Sequence, residues 1–317
     1  MVNLKKTKLV LLFLFLFGIN HASFSQLTPW EKLNKQYIAA EEQGHYREAL
    51  AVARQAFAVA RRSELKHFPM SCFILGIAYH KQSDYKNAEI LYNQALALWT
   101  KIYGSDSLAV ASTLDGLSKN YSAQENYKKA EQFAHKAMKI LGKKYGKNGS
   151  IWAAGLANLG WIQDKQGNYL KAEALYKQAQ VLFEKKPVQN VHQLATLLNN
   201  LASLYDTQGK YEAAEQLHQQ AIQMVERAQG PDHPTLARNF NNLGALYLAQ
   251  GLHSKAEPLF KRALVIEKKH YGPLHDTVST TFNNLGLLYI KQGRYQQALS
   301  MAQHSLTIER NKGRAIS

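Results

Sequence analysis

The sequence predicts an all-α protein, an α-solenoid built from stacked pairs of helices. Three observations support this fold class: a Tyr recurs every 42 residues, Leu and small residues recur in the same register, and each copy holds two stretches with apolar residues at helical spacing. One helix pair cannot bury its apolar face alone, so neighbouring copies must stack against one another.

The first 25 residues have the layout of a secretory signal. Lys5, Lys6 and Lys8 precede an uncharged apolar run at residues 9–19, which is too short to span a membrane, and small residues come just before Gln26. We expect residues 1–25 to be cleaved and residues 26–317 to be exported, to the periplasm or the extracellular space if the source is bacterial. No membrane span is expected after cleavage. The alternative is that the segment remains as a membrane anchor.

The repeat occupies about residues 30–310, as seven copies of which the first is shorter. Its columns place Ala three residues after the marker Tyr and Leu followed by a small residue ten and nine residues before it. The marker column is Tyr46, Tyr85, Tyr127, Tyr169, Tyr211, His253 and Tyr295.

Each copy contains a first and a second amphipathic helix. In the copy around Tyr211, apolar residues follow helical spacing on both sides of a break at Gly209. A Gly two residues before the marker recurs in most copies, where a left-handed residue ends the first helix. Further glycines at 104, 146, 230 and 272 mark the loops between copies.

Composition limits the class of protein. Apolar residues make up 46% of the 317 residues, too many for a disordered chain, and the single cysteine, Cys72, excludes an internal disulfide. The formal charge of +16, from 39 Lys and Arg against 23 Asp and Glu, favours anionic partners or a well-solvated surface. The lysines at 128, 129, 136, 139, 143 and 144 fall mostly on one second helix, and we interpret them as a solvated face.

The repeats resemble tetratricopeptide (TPR) repeats. The Leu-Gly, Tyr and Gly-x-Tyr-x-x-Ala-Glu positions carry the resemblance, and the 42-residue period and the linker at residues 228–238 are similar to kinesin-light-chain-like repeats. The resemblance implies a right-handed superhelix whose first helices line a concave, peptide-binding groove. The linker at residues 185–193 and Pro258 depart from the pattern.

A helical wheel selects the residues expected in that groove. Positions beside the core stripe of the first helices form one row, in which Asn199, Asn241 and Asn283 recur at 42-residue spacing. An amide both donates and accepts hydrogen bonds, so this ladder suits a peptide backbone. The alternative is that these amides bond to neighbouring helices, as we expect for Asn158, Asn200, Asn242 and Asn284. The other predicted groove residues are Trp161, Asp164, Ser203, Asp206, Arg238, Leu248, Leu287 and Ile290.

No catalytic, metal-binding or phosphate-binding motif is found in the sequence, so we expect no enzyme activity and no cofactor. Asp164 and Asp206 lie one repeat apart and fit a groove better than an acid–base pair. Nucleic acid is disfavoured because the row lacks interleaved basic and aromatic residues.

The function predicted from the sequence is a noncatalytic, exported scaffold that binds an extended peptide or a partner protein in its groove. The alternative is a structural envelope assembly factor that self-associates through its apolar C-terminal end, to which Leu248, Leu287 and Ile290 belong. In the groove model, Trp161 is either an anchor pocket or a packing residue.

Overall fold

The computed structural model describes residues 27–42 and 44–314. All regular elements in this part of the chain are helices, arranged as seven consecutive pairs, which confirms the predicted all-α solenoid. The signal predicted at residues 1–25 lies outside the described residues. The chain forms two compact units, divided between Lys144 and Tyr145.

Unit 1 contains three helix pairs. In each pair the first helix is odd-numbered and the second is even-numbered, and a short 3-10 turn at Leu65–His67 precedes the second pair. The helices are α1 Pro29–Glu42, α2 Tyr46–Arg62, α3 Phe68–Lys81, α4 Tyr85–Tyr103, α5 Leu108–Ala123 and α6 Tyr127–Tyr145.

Unit 2 contains four further pairs of the same kind. Here α8 ends before Pro187, and Pro258 lies inside α12 without ending that helix. The helices are α7 Ser150–Lys165, α8 Tyr169–Glu184, α9 Val191–Thr207, α10 Tyr211–Gln229, α11 Thr235–Ala249, α12 His253–Tyr271, α13 Asp276–Lys291 and α14 Tyr295–Arg314.

The marker column is the first residue of every second helix. The preceding turn needs a left-handed residue, and Gly209 supplies it with φ of 72°. The next amide, that of Lys210, donates to the carbonyl of Tyr205 at 2.8 Å and closes the end of α9. Ser83 and Glu125 hold the same position in unit 1 with φ of 60° and 58°, although neither is glycine.

Packing follows the repeat columns. The Ala three residues after each marker is buried, and in the second to seventh copies so is the Leu ten residues before the marker. A Cβ added at Gly244 would lie 2.7 Å from the Phe260 ring, and one at Gly160 would lie 2.8 Å from the Tyr176 ring, so both glycines permit a close helix crossing. At Gly286 the nearest atom to an added Cβ is 3.6 Å away, so this copy leaves room for a side chain.

A hydrogen bond between residues 32 positions apart joins a second helix to the first helix of the next pair. In unit 1, Tyr121 of α5 donates to Glu89 of α4 at 2.6 Å. Unit 2 repeats this bond three times, as Tyr205 to Glu173, Tyr247 to Glu215 and Tyr289 to Glu257. The bond is therefore a built-in repeat-to-repeat contact, and its sequence signal is a Glu four residues after the marker.

Candidate partner-binding face

Within unit 2, consecutive first helices contact one another, α8, α10 and α12 each pack between two of them, and α14 packs on α13. The first helices therefore form one side of the stack and the second helices form the other. The side of α7, α9, α11 and α13 that the second helices leave uncovered is the candidate site, hereafter the first-helix face.

The predicted groove residues divide into three groups by exposure. Ser203, Arg238, Asn283, Leu287 and Ile290 are exposed. Trp161, Asp164, Asp206, Asn241 and Leu248 are half-buried, and Asn199 is buried, with 4% of its surface exposed.

Asn199 does not lie on the first-helix face, and its predicted exposure was wrong. Its Nδ2 donates to Oδ1 of Asn239 on α11 at 2.8 Å, and its Oδ1 lies 2.7 Å from Nδ1 of His218 on α10. Burial lowers the pKa of His218 to about 4, so the ring is neutral near pH 7 and donates from Nδ1 to the amide oxygen. Both ends of the Asn199 amide are thus used inside the unit.

Asn241 is also engaged by its neighbours. Its Nδ2 donates to Oγ1 of Thr281 on α13 at 2.7 Å and lies 3.3 Å from Oε1 of Glu267 on α12. Its Oδ1 accepts from Asn284 at 3.3 Å. The local-bonding alternative therefore describes Asn199 and Asn241, and only Asn283 of the expected ladder is exposed.

Asn199 and Asn241 are covered because each is followed by a further copy of the repeat. The wheel position is covered by the following first helix, since α9 contacts α11 and α11 contacts α13. Asn283 belongs to α13, the last first helix among residues 27–314, where this cover is missing.

Glu267 is a buried acid that sequence reasoning missed. Only 3% of its surface is exposed, and its Oε2 accepts a hydrogen bond from Thr281 at 2.7 Å. Burial raises its pKa to about 7, although the bond from Thr281 acts in the opposite direction. A signal was present: the same column holds Phe183 and Val225 in the preceding copies, both buried.

The first-helix face changes chemically along the stack. On α7 and α9, partial burial raises the pKa of Asp164 and of Asp206. Arg238 on α11 donates to Oγ1 of Thr196 at 2.8 Å. On α13, Leu287 is 48% and Ile290 53% exposed, so this end of the face is apolar.

Chemistry for catalysis is sparse in the described part of the chain. No group of three or more His, Cys, Asp and Glu residues there is arranged to hold a metal ion. Cys72 is buried, and burial raises the pKa of its thiol to about 12, which keeps it protonated. Among these residues, no helix is long and apolar enough to cross a membrane.

Comparison with known proteins identifies the class. Family models described as tetratricopeptide repeat match residues 35–101, 70–143, 153–182, 193–269 and 278–311. The chain therefore belongs to the tetratricopeptide repeat family. No curated protein matches the sequence.

Solved structures show the same fold at low identity. A Rap protein complexed with Competence and Sporulation Factor is 18% identical with a TM-score of 0.67, covering 90% of this chain and 77% of that one. Aspartyl phosphate phosphatase F from Bacillus subtilis is 16% identical with a TM-score of 0.62, covering 88% and 70%. TPR-like repeats of a kinesin light chain from Podosopora anserina are 20% identical with a TM-score of 0.50, covering 63% and 94%.

Proposed function

We propose that the protein is an exported, noncatalytic scaffold whose first-helix face binds an extended segment of a partner protein. The fold is that of a protein-binding repeat, and a Rap protein of similar fold has been solved in complex with Competence and Sporulation Factor. The bound segment, the face that binds it and the export are inferred from the residues of this chain.

The observation that carries the proposal is the graded first-helix face of unit 2. Two half-buried carboxylates, Asp164 and Asp206, lie toward its α7 end, and two exposed apolar side chains, Leu287 and Ile290, lie at its α13 end. Exposed apolar groups with a polar border are typical of protein interaction sites. A segment with cationic or polar residues followed by apolar residues fits this order.

The noncatalytic part of the proposal rests on side-chain environment. The thiol of Cys72 is buried, and the neutral ring of His218 is buried against Asn199. Neither side chain is therefore exposed to act as a nucleophile or a base. The fold alone does not decide this point, because one structural neighbour is a phosphatase by name.

Export is proposed from the sequence at residues 1–25, and N-terminal sequencing of the protein from its native source tests it. A mature chain starting at Gln26 is the expected result. Intact Met1 in the membrane fraction would instead support the retained anchor.

A second function, self-association through the apolar C-terminal end, is favoured by one further observation. Leu299 and Leu306 on α14 are about half exposed, as are Leu287 and Ile290 on α13. A second copy that covers this end would bury all four side chains.

The test compares two double variants of equal chemistry. Leu287→Asp with Ile290→Asp changes the first-helix face, and Leu299→Asp with Leu306→Asp changes only α14. Peptides are first selected from a random library on the wild-type protein, and their Kd values are then measured on each variant. We expect at least a tenfold loss for the first variant and a change within twofold for the control.

Sedimentation velocity on the same proteins separates the two functions. A wild-type dimer that dissociates in both variants, with no peptide selected, would replace the scaffold with the self-associating protein. Peptides that bind all three proteins equally would show that the first-helix face is not the binding site.

A further inference from the structure

Positive charge in unit 1 is concentrated on the second helices. By sequence, α2, α4 and α6 carry twelve Lys and Arg residues against three Glu, whereas the first helices α1, α3 and α5 carry four cations against four anions. The second helices of unit 2 are less biased, with eleven cations against eight anions. In unit 1, α2 packs between α1 and α3, α4 packs between α3 and α5, and α6 packs on α5, where the Tyr121 and Phe133 rings stack. The second helices therefore lie on one side of the unit, and this side carries the excess of nine charges.

Eleven of these twelve side chains are exposed, and Arg47 is half-buried. The six lysines of α6 are all exposed, and of these Lys143 forms an ion pair, at 2.8 Å with Asp106. Lys128, Lys136, Lys139 and Lys143 fall within about 80° of one another on the helix, so they form one stripe. By contrast, in unit 2 Lys269 and Arg262 of α12 both pair with Asp232.

Apolar side chains are exposed on the second helix between the two most basic ones. Ile90, on the side of α4 opposite its buried residues, exposes 56% of its surface, whereas Ile102 and Tyr103 lie on the buried side and are exposed where the helix ends. The basic residues Arg61 and Arg62 at the end of α2 are exposed as well. We use the term basic face for the exposed sides of α2, α4 and α6.

We infer that the basic face docks on the surface of a bilayer that contains anionic phospholipid. Lys and Arg near such a surface are attracted by its negative potential, while the exposed side chain of Ile90 suits the boundary between headgroups and acyl chains. The arrangement fits this partner better than a nucleic acid, because the exposed Ile90 gains nothing from a phosphate backbone. A bilayer also fits better than an acidic protein segment. Such a segment could bind to the single row of lysines on α6 and would not need the charges on α2 and α4.

Vesicle binding by the full chain tests the inference. The probes are vesicles of phosphatidylcholine alone and vesicles with 30–50% phosphatidylglycerol, compared at low and high NaCl. We expect binding only to the anionic vesicles, weakened by salt because charges at a surface are screened. The basic-face variant is Lys128→Glu with Lys136→Glu and Lys139→Glu.

A matched control variant removes the same charge elsewhere. Lys171→Glu with Lys185→Glu and Lys186→Glu changes three exposed lysines of unit 2. Each lysine near an anionic surface contributes roughly fivefold to the affinity, so three reversals on the basic face should lower vesicle affinity by at least about 100-fold. The control should stay within about threefold. Residues 1–26 are identical in both variants, so any vesicle binding through them cancels in the comparison.

Lysine acetylation in the presence of vesicles gives an independent readout. Lys128, Lys136 and Lys139 should be protected by anionic vesicles, and Lys171 and Lys185 should not. Equal protection of the two sets, or equal affinity of the two variants, would overturn the inference. Binding to polyglutamate or to an oligonucleotide without binding to vesicles would overturn it as well, in favour of a different anionic partner.

Discussion

Replacing Glu267 by Gln should stabilise the protein at pH 8 and have little stabilising effect at pH 5. Glu267 is 3% exposed, and its carboxylate contacts only uncharged hydrogen-bond donors, Thr281 at 2.7 Å and Asn241 at 3.3 Å. The charged form is therefore desolvated without a compensating cation, and Gln removes the charge while it keeps the size and an acceptor oxygen.

The magnitude follows from the pKa of the carboxyl group. Burial raises the pKa of Glu267 from 4.5 to about 7, which corresponds to about 3 kcal/mol. Because the folded state holds the proton more tightly, this contribution to stability is fully present below pH 4.5. It is lost as the pH rises through about 7. The glutamine variant has no such loss, so the difference in free energy of unfolding between the two proteins should increase as the pH rises from 4.5 to about 7.

Urea unfolding of both proteins at several pH values between 5 and 8 measures that difference, with hydrogen exchange of α12 as a local readout. Glu257→Gln is the control, since hydrogen bonding to Arg294 lowers the pKa of Glu257 to about 2. The stability that Glu257 contributes is lost only below pH 4.5, so this control should be destabilised by the same amount at pH 5 and at pH 8. If the free energy of unfolding of wild type and of Glu267→Gln changed in parallel with pH, the reasoning would be refuted.

Four other substitutions test the packing, a turn and a buried hydrogen-bond network. Gly244→Ala should cost about 1–3 kcal/mol by pressing on the Phe260 ring, whereas Gly286→Ala should be neutral or stabilise by up to about 1 kcal/mol, as urea unfolding would show. Glu125→Gly should stabilise by about 1 kcal/mol because φ there is 58°, and an unchanged Tm would contradict this. Asn199→Ala should cost about 1–3 kcal/mol in thermal melts while leaving peptide affinity unchanged, because it strips buried partners of their hydrogen bonds.

The fold was predictable because the repeat fixes helix boundaries directly. The marker residue stands at the start of each second helix, and in five copies a Gly two residues earlier stands at the left-handed turn. Both are local requirements of a helix–turn–helix unit, so they appear in the sequence as columns. Gly286 shows the limit of this method, since the column predicts a tight crossing and the neighbouring Met301 leaves space there.

The candidate site was less predictable because a helical wheel gives an angle and not a neighbour. Leu287 and Ile290 are exposed as predicted, but Asn199 at a nearby angle lies under α11. Whether a position faces solvent depends on how the next copy packs, which is a property of two repeats together. Glu267 was missed because none of the recognised repeat columns includes its position, although a Glu that aligns with Phe183 and Val225 is itself a signal.

The consecutive contacts between first helices therefore respond to pH in opposite directions. At the α9–α11 contact, burial lowers the pKa of His218 from 6.5 to about 4, so its contribution is present above pH 6.5 and is lost as the pH falls through about 4. At the α11–α13 contact, Glu267 contributes below pH 4.5 and loses that contribution as the pH rises through about 7. Stability in a repeat array is carried by nearest neighbours, so each effect should stay near its own contact. Acidification from pH 7 to 5 should raise hydrogen-exchange protection of α12 and α13 relative to α9 and α10, after correction for the intrinsic exchange rate. A uniform change in protection across these helices would show that unit 2 unfolds cooperatively and that the hydrogen-bond networks of His218 and Glu267 do not act separately.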